Sequence, residues 1–331
     1  MKVAIVGATG AVGSTMIQSV LELGLQPTQW HLLASARSAG TSLEVAGQTL
    51  QVTDIEQFNF EGVELALFAG GEIASERFVP RARETGAVCI DNSASFRMDP
   101  KVPLVVPEVN PEALRGHQGI IANPNCSTIQ MVVALKPFVD LGLERVCVST
   151  YQSVSGTGKD AIEELAQQVR AWAADEAEPE PRVYPAPIAF NLIPQIASFG
   201  PDGFTGEERK MMEETRKILE LPQLRITATC VRVPVFYAHS ESLHLELSHP
   251  CSPEEARQRL AAAPGVVVMA DGPQPTPLQA AHQDQVLVGR IRRDPSCDNG
   301  LQLWVVADNL RKGAASNAVQ IACKMKEMGL L

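Results

Sequence analysis

Cys126 sits where a thiol could do covalent chemistry. It stands in the run Asn123-Pro124-Asn125-Cys126-Ser127-Thr128, where Pro124 and Asn125 close one segment and the apolar pattern over 127–139 predicts a helix. Free N–H groups at a helix start favour a thiolate and lower its pKa from an ordinary value of roughly 8.5. A thiolate so placed can attack a carbonyl carbon and hold the adduct as a hemithioacetal. The same N–H groups can stabilise the oxyanion. Loss of a hydride would then leave a thioester, so this chemistry calls for a hydride acceptor. The other six cysteines, at 89, 147, 230, 251, 297 and 323, read as small packing residues.

A site for such an acceptor lies near the start of the chain. The run Gly7-Ala8-Thr9-Gly10-Ala11-Val12-Gly13 follows an apolar strand, Lys2–Val6, and opens a helical pattern over 14–23 that stops at Gly24. That is the setting of a dinucleotide-binding turn. Gly7, Gly10 and Gly13, with the backbone of Thr9, Ala11 and Val12, would let the chain approach a pyrophosphate at a helix N-terminus. The spacing is G-x-x-G-x-x-G, a variant of the commoner G-x-G-x-x-G. NAD sites place a carboxylate about 20 residues further on, for the ribose 2′-hydroxyl. Here that region reads Leu33-Ala34-Ser35-Ala36-Arg37-Ser38. Ser35, Arg37 and Ser38 could bind a 2′-phosphate, and no acid repels it, which favours NADP.

These residues must be positioned by a sizeable fold. At 331 residues the chain suits two domains. Short apolar runs at Lys2–Val6, 30–34, 65–69 and 88–90 alternate with helical stretches, which predicts a parallel sheet covered on both faces. After Cys126 the pattern changes. A β-rich run at 145–150 is followed by a helix over 159–174, an acidic Pro-rich loop over 175–187, and a helix over 205–219 with Thr205 as its N-cap. Extended runs at 225–235, 242–247 and 301–306 predict a second, mixed sheet, and 313–327 reads as helix. The fold class expected is therefore α/β: a Rossmann-type domain joined to an α+β domain. Net charge of −10 argues against nucleic acid or anionic membrane as partners, so an anionic substrate needs a local cluster of placed cations. No apolar run approaches the roughly 20 residues of a membrane span, and the N-terminus does not read as a signal peptide. The seven scattered cysteines show no CxxC pair, so neither a metal site nor a disulfide framework is expected. Reduced thiols point to the cytoplasm.

Several longer runs resemble the aspartate-semialdehyde dehydrogenase family, nearly end to end and in the family's order. They are the glycine turn; 93–97, ending in Ser95-Phe96-Arg97; 102–110, which includes Val106-Pro107-Glu108-Val109-Asn110; Asn123-Pro124-Asn125-Cys126-Ser127-Thr128; and 150–156, which includes Tyr151-Gln152-Ser153-Val154-Ser155-Gly156. Arg232-Val233-Pro234 with Ala238-His239-Ser240-Glu241, and 308–315, complete the set. The Asn-Cys-Ser-Thr form is similar to the bacterial branch.

The resemblance implies Cys126 as nucleophile, Gln152 as a substrate-orienting amide and His239 as acid/base. Arg232 would hold the substrate carboxylate; Glu207 would hold its ammonium group or fix Arg232. Inorganic phosphate would be held by Arg97 and Lys210 with Asn125. Ser155, Gly156 and Asn309 would approach the nicotinamide of NADP. Because Arg232 and His239 are seven residues apart, an extended segment would point them to opposite faces, so a bend at Pro234 is expected. The resemblance also implies residues 1–125 and 309–331 as the NADP-binding domain, residues 126–308 as a catalytic and dimerisation domain, and a homodimer or tetramer. The reaction implied is the reversible conversion of L-4-aspartyl phosphate to L-aspartate-4-semialdehyde, in lysine, threonine, methionine and diaminopimelate biosynthesis. Two alternatives differ in class. N-acetyl-glutamyl-phosphate reductase runs the same chemistry, with a Gly-Cys-Tyr run where this chain has Asn-Cys-Ser-Thr. A catalytically silent NADP-binding scaffold would have no reason to keep Cys126, Gln152, Arg232 and His239.

Overall fold

Strand β1 (Lys2–Val6) is buried along four of its five residues, as a strand covered on both faces must be. The computed structural model describes residues 1–269 and 272–331. It divides into two units, Met1–Asn125 with Ala314–Leu331, and Cys126–Gly313. In the first unit β1 is joined by β2 (Gln29–Ala34), β3 (Ser42–Val45), β4 (Gln48–Asp54), β5 (Leu65–Phe68), β6 (Val88–Asp91) and β7 (Ile120–Ala122) in the order β3-β4-β2-β1-β5-β6-β7. All neighbours are parallel except the β3–β4 hairpin. One face is covered by α1 (Ala11–Glu22) and the C-terminal helix (Ser316–Glu327), which bury Met16, Val20, Val319 and Ala322. The other is covered by α2 (Glu72–Glu84), through Phe78, Val79 and Ala82. The strand order reverses beside β1, between β2 and β5, and a sheet of this kind opens a crevice there.

The β3–β4 hairpin carries little sequence signal. Its turn places both Ala46 (φ 51°) and Gly47 (φ 77°) in the left-handed region, and Ala there lacks the Asn or Asp that usually announces such a turn. Helix α1 starts at Ala11, three residues before the expected start, because Ala11–Gly13 belong to its first turn.

The second unit contains α3 (Cys126–Leu135), β8 (Leu143–Gln152), α4 (Lys159–Ala173), α5 (Gly206–Leu219), β9 (Arg225–Arg232), β10 (His239–Leu247), α6 (Pro253–Ala262), β11 (Val266–Met269), α7 (Pro277–Ala280), β12 (Val286–Asp294) and β13 (Gly300–Ala307). The sheet is mixed and ordered β11-β12-β13-β10-β8-β9; β8–β9 and β11–β12 are parallel and the other pairs antiparallel. Every residue of α3 after Cys126 is buried, so packing holds the helix that carries the thiol. Its α-helical part ends at Leu135, short of the expected 139: Pro137 has no N–H to donate, and the chain tightens to a 3-10 turn. Thr205 caps α5 in a reciprocal box with Glu208, its Oγ1 accepting Glu208 N–H while Glu208 Oε2 accepts Thr205 N–H at 2.7 Å. The unit runs on to Gly313, beyond the expected 308. Asp308 Oδ1 accepts the N–H groups of Leu310 and Arg311, and Arg311 pairs with Asp284 at 2.9 Å, so this segment stays with its own sheet. No helix among the described residues is long and apolar enough to cross a membrane.

Gly13 is the tightest point of the first turn, because a Cβ there would collide with Gly7 O and come within 2.9 Å of Ala8 Cα. Gly13→Ala is expected to cost about 1–3 kcal/mol by overpacking, read by urea denaturation of the purified chain; an unchanged midpoint would contradict this packing.

Candidate active site

Three neighbouring strands deliver the site's polar side chains to one end of the second sheet. β8 lies between β9 and β10. Gln152 pairs with Arg232 across β8–β9. Ser240 pairs with Tyr151 across β8–β10, so the next step of that ladder sets His239 beside Gln152. All three are at most 5% exposed. The bend expected at Pro234 is not how Arg232 and His239 meet: β9 stops at Arg232 and β10 starts at His239, on opposite sides of β8. Pro234 cannot donate to a ladder, and the chain turns through 233–238 with Ala238 at φ 69°.

Arg232 is held by backbone. Its Nη1 donates to Ser153 O at 2.6 Å, and its own N–H and C=O pair with Ile193. Its Nε is buried without a partner, and no carboxylate among the described residues pairs with it. Glu207 was one candidate to fix Arg232, but the Ser153 carbonyl does so. Glu207 instead accepts from Gln152 Nε2 at 3.1 Å and lies 3.8 Å from Lys210 Nζ, which is one-third exposed. Thr150 Oγ1 donates to Gln152 Oε1 at 3.0 Å, so the Gln152 amide is oriented at both ends.

His239 Nδ1 accepts the Ser153 N–H at 2.9 Å, which puts the proton of the neutral ring on Nε2. Nε2 is buried with no protein partner. Burial and then the Arg232 charge hold the His239 pKa well below the ordinary 6.5, opposed by a backbone hydrogen bond at Ala238. Ser153 Oγ lies 3.1 Å from Nδ1. Asn309 Oδ1 accepts from Ser153 Oγ, Ser155 Oγ and Ala238 N, each at 3.0 Å. With its proton turned to Asn309, Ser153 Oγ can accept from Nδ1 when the ring takes a second proton. The ring can thus donate from Nε2 or carry a proton transiently, which is what an acid/base group needs.

Glycines let these groups crowd together. A Cβ on Gly156 would lie 3.0 Å from Arg232 Nη1 and 3.2 Å from His239 Nε2. A Cβ on Gly313 would lie 2.9 Å from Cys126 Cβ. Cys126 is the first residue of α3, and its side chain is half-buried. Ser153, Thr150, Ala238 and Gly313 were not legible as site residues. Ser153 acts mostly through backbone atoms, Ala238 through its φ, and Gly313 through what it lacks; only the adjacency of Ser153 to Gln152 offered a signal.

The first unit holds the remaining candidates. Gly7 (φ 82°) follows β1 and donates its N–H to Leu33 O at 2.8 Å, which sets the turn against the end of β2. Gly10 caps α1 with no side-chain hydrogen bond. Ser35, Arg37 and Ser38 follow β2 directly, with Ser38 N–H closing onto Ser35 O at 2.9 Å and Arg37 exposed. This donor set suits a phosphate-bearing dinucleotide: backbone N–H groups at a helix start, a guanidinium and hydroxyls, with no acid at the strand end. Arg97 is buried; its Nε donates to Asn123 O at 2.9 Å and its Nη2 to Asn92 O at 2.8 Å. Asn125 is also buried and ends this unit's first segment.

The family model described as semialdehyde dehydrogenase, NAD binding domain matches residues 2–117, and that for the semialdehyde dehydrogenase dimerisation domain matches 135–312. Aspartate-semialdehyde dehydrogenase of Aquifex aeolicus is 51% identical over 338 residues, covering 100% of this chain and 99% of that protein. The crystal structure of aspartate semialdehyde dehydrogenase II from Vibrio cholerae complexed with ASA superimposes with a TM-score of 0.96 at 48% identity, covering 98% of each chain. Aspartate semialdehyde dehydrogenase from Candida albicans with NADP superimposes at 0.77 with 26% identity, covering 100% of this chain and 99% of that one.

A His with a depressed folded pKa binds fewer protons native than unfolded. Its contribution to stability is present above 6.5 and is lost as pH falls below that value toward the folded pKa. Urea melts from pH 8 to pH 5 should therefore show the wild type losing stability below about pH 6.5 more steeply than His239→Asn. Parallel curves would mean that His239 is not buried neutral.

Proposed function

The chain belongs to the aspartate-semialdehyde dehydrogenase family, and on that premise we propose that it interconverts L-4-aspartyl phosphate and L-aspartate-4-semialdehyde with NADP, through a thioester on Cys126. The observation that carries the substrate class is the Arg232 guanidinium, buried beside Gln152 and His239 with no carboxylate of its own. A cation in that state favours an anionic ligand, and its planar fork suits a carboxylate.

In the oxidative direction the Cys126 thiol gives its proton to the His239 ring and Sγ attacks the semialdehyde carbon, whose carbonyl oxygen becomes an oxyanion. His239 Nε2–H and the N–H groups at the start of α3 are the donors we assign to that oxygen. Arg232 holds the carboxylate and Glu207 the ammonium group, while Gln152 fixes the tilt of the reacting carbon. NADP supplies the acceptor for the hydride whose loss converts the hemithioacetal to a thioester. A phosphate oxygen then attacks the thioester carbon; the C–S bond breaks, and the acyl phosphate leaves as the thiolate is regenerated. Arg97 and Lys210, with Asn125, are the groups we assign to phosphate. Ser155, Gly156 and Asn309 are the groups we assign to the nicotinamide. The preference for NADP over NAD rests on Arg37, Ser35 and Ser38 after β2. The glycine-turn unit then binds the dinucleotide and the unit with the mixed sheet binds the amino acid. A homodimer or a tetramer of it, in the cytoplasm of a cell making lysine, threonine, methionine and diaminopimelate, completes the reading.

The test is NADPH formation on mixing the chain with aspartate semialdehyde, phosphate and NADP+. Turnover should require phosphate and fall by more than roughly 10⁴-fold in Cys126→Ala while NADPH binding survives. Turnover of N-acetylglutamate semialdehyde alone would overturn the substrate assignment. Arg97→Ala should raise the KM for phosphate roughly 10- to 100-fold, with a smaller effect on semialdehyde; the reverse pattern would move Arg97 to the carboxylate.

A further inference from the structure

Below the pair formed by the nucleophile's helix and the base's strand lies a second polar pair that the reaction does not use. Gln130 is four residues after Cys126, on the same face of α3. Glu241 is two residues after His239, on the same face of β10. Gln130 Nε2 donates to His239 O at 3.3 Å, which ties the helix to the backbone of the base. Glu241 is fully buried. In the sheet it stands opposite Thr150 on β8, which in turn pairs with Cys230 on β9. The layer Glu241–Thr150–Cys230 therefore lies directly beneath the layer His239–Gln152–Arg232.

Hydrogen bonding in this second layer does not close if Glu241 is ionised. Gln130 Oε1 and both Glu241 oxygens are buried without partners. These three oxygens are all acceptors when Glu241 is ionised, and no cation among the described residues pairs with Glu241. Burial pushes the Glu241 carboxyl well above its usual range, and the Gln130 side chain beside it only partly opposes this. The nearest ionisable neighbours offer it no counter-charge: His239 on the same strand is neutral, burial pushes the Cys230 thiol up, and the Arg232 guanidinium in the layer above is bonded to Ser153 O. A carboxylate would be a buried charge with no direct partner. One proton on Glu241 resolves this, because the acid O–H can donate to Gln130 Oε1 while the Gln130 amide keeps its bond to the His239 carbonyl.

We propose that Glu241 is a neutral carboxylic acid that donates to Gln130, and that the two are positioning residues fixing His239 against the helix that carries Cys126. Gln130 and Glu241 touch no substrate; they act through the strand on which the base stands. The inference rests on the reading of Cys126 and His239 as the reacting groups, and its first test does not need activity.

Infrared difference spectra of the whole chain at neutral pH, wild type minus Glu241→Gln, should show the carbonyl band of a protonated acid. An ionised-carboxylate band in its place would overturn the proposal even if the enzyme is fully active. Kinetically, Glu241→Gln keeps a neutral donor of the same shape and should hold kcat within about twofold, whereas Glu241→Ala should lower kcat on the order of 10- to 100-fold with both KM values nearly unchanged. Equal losses in the Gln and Ala variants, or no loss in Ala, would contradict it. Should Glu241→Ala not fold, Gln130→Met combined with Glu241→Leu preserves volume and should fold with the same kcat loss; full activity in that double variant would end the proposal. Absence of any phosphate-dependent turnover in the wild type would instead refute the reading of the reaction, and the infrared band would still decide the state of Glu241.

Discussion

The Arg232 guanidinium is taken out of water and given one carbonyl to bond, at 2.6 Å, and no carboxylate. A buried charge left so is costly, and the surrounding structure is arranged around that cost. Strand β9 ends at this residue. Its backbone is clamped by Ile193, and Val233 N–H is anchored on Gln152 O at 3.0 Å. The neighbouring loop is held open by glycine at 156, where any side chain would press on the guanidinium. Such a cation favours an anion brought from outside, which would lower that cost.

The same charge adds to what burial does to its neighbour. His239 stands one strand beyond Gln152, and burial together with Arg232 keeps its ring neutral. Ser153 serves both residues, giving its carbonyl to Arg232 and its N–H to His239 Nδ1. One peptide strand-end therefore fixes the position of the cation and the tautomer of the His239 ring. Asn309 gathers Ser153, Ser155 and Ala238 onto a single oxygen, so the chain segment after β13 is part of this scaffold as well.

Much of this was legible in the residues alone. The glycine turn after a buried strand, the missing acid after β2, the helix start at Cys126 and the Thr205 cap follow from local chemistry, because each depends on residues within a few positions. The recurrence of Arg232, His239 and Gln152 in family-like runs pointed to the other candidates, and the resemblance implied Glu207 beside them. Their arrangement was not legible. Arg232 and His239 are seven residues apart yet meet through β8, which lies some 80 residues earlier, and only strand order reveals that. Glu207 was read as a partner of substrate or of Arg232, whereas its contact with Gln152 depends on how α5 lies on the sheet. The β3–β4 hairpin, Ala238 and Gly313 escaped because a left-handed φ in alanine and a missing Cβ leave no mark in composition or periodicity.

The central claim is that Arg232 is a stored positive charge awaiting a carboxylate, and it predicts an opposition between stability and binding. The direct measurement is urea denaturation of Arg232→Met and of the wild type, each on a Cys126→Ala background, without and with aspartate semialdehyde. Replacing the unpaired buried cation with an apolar side chain of similar length should stabilise the free protein by about 1–4 kcal/mol. It should also abolish the stabilisation that the semialdehyde gives the parent. A Met variant that is less stable than its parent, yet is still stabilised by the ligand, would contradict the account.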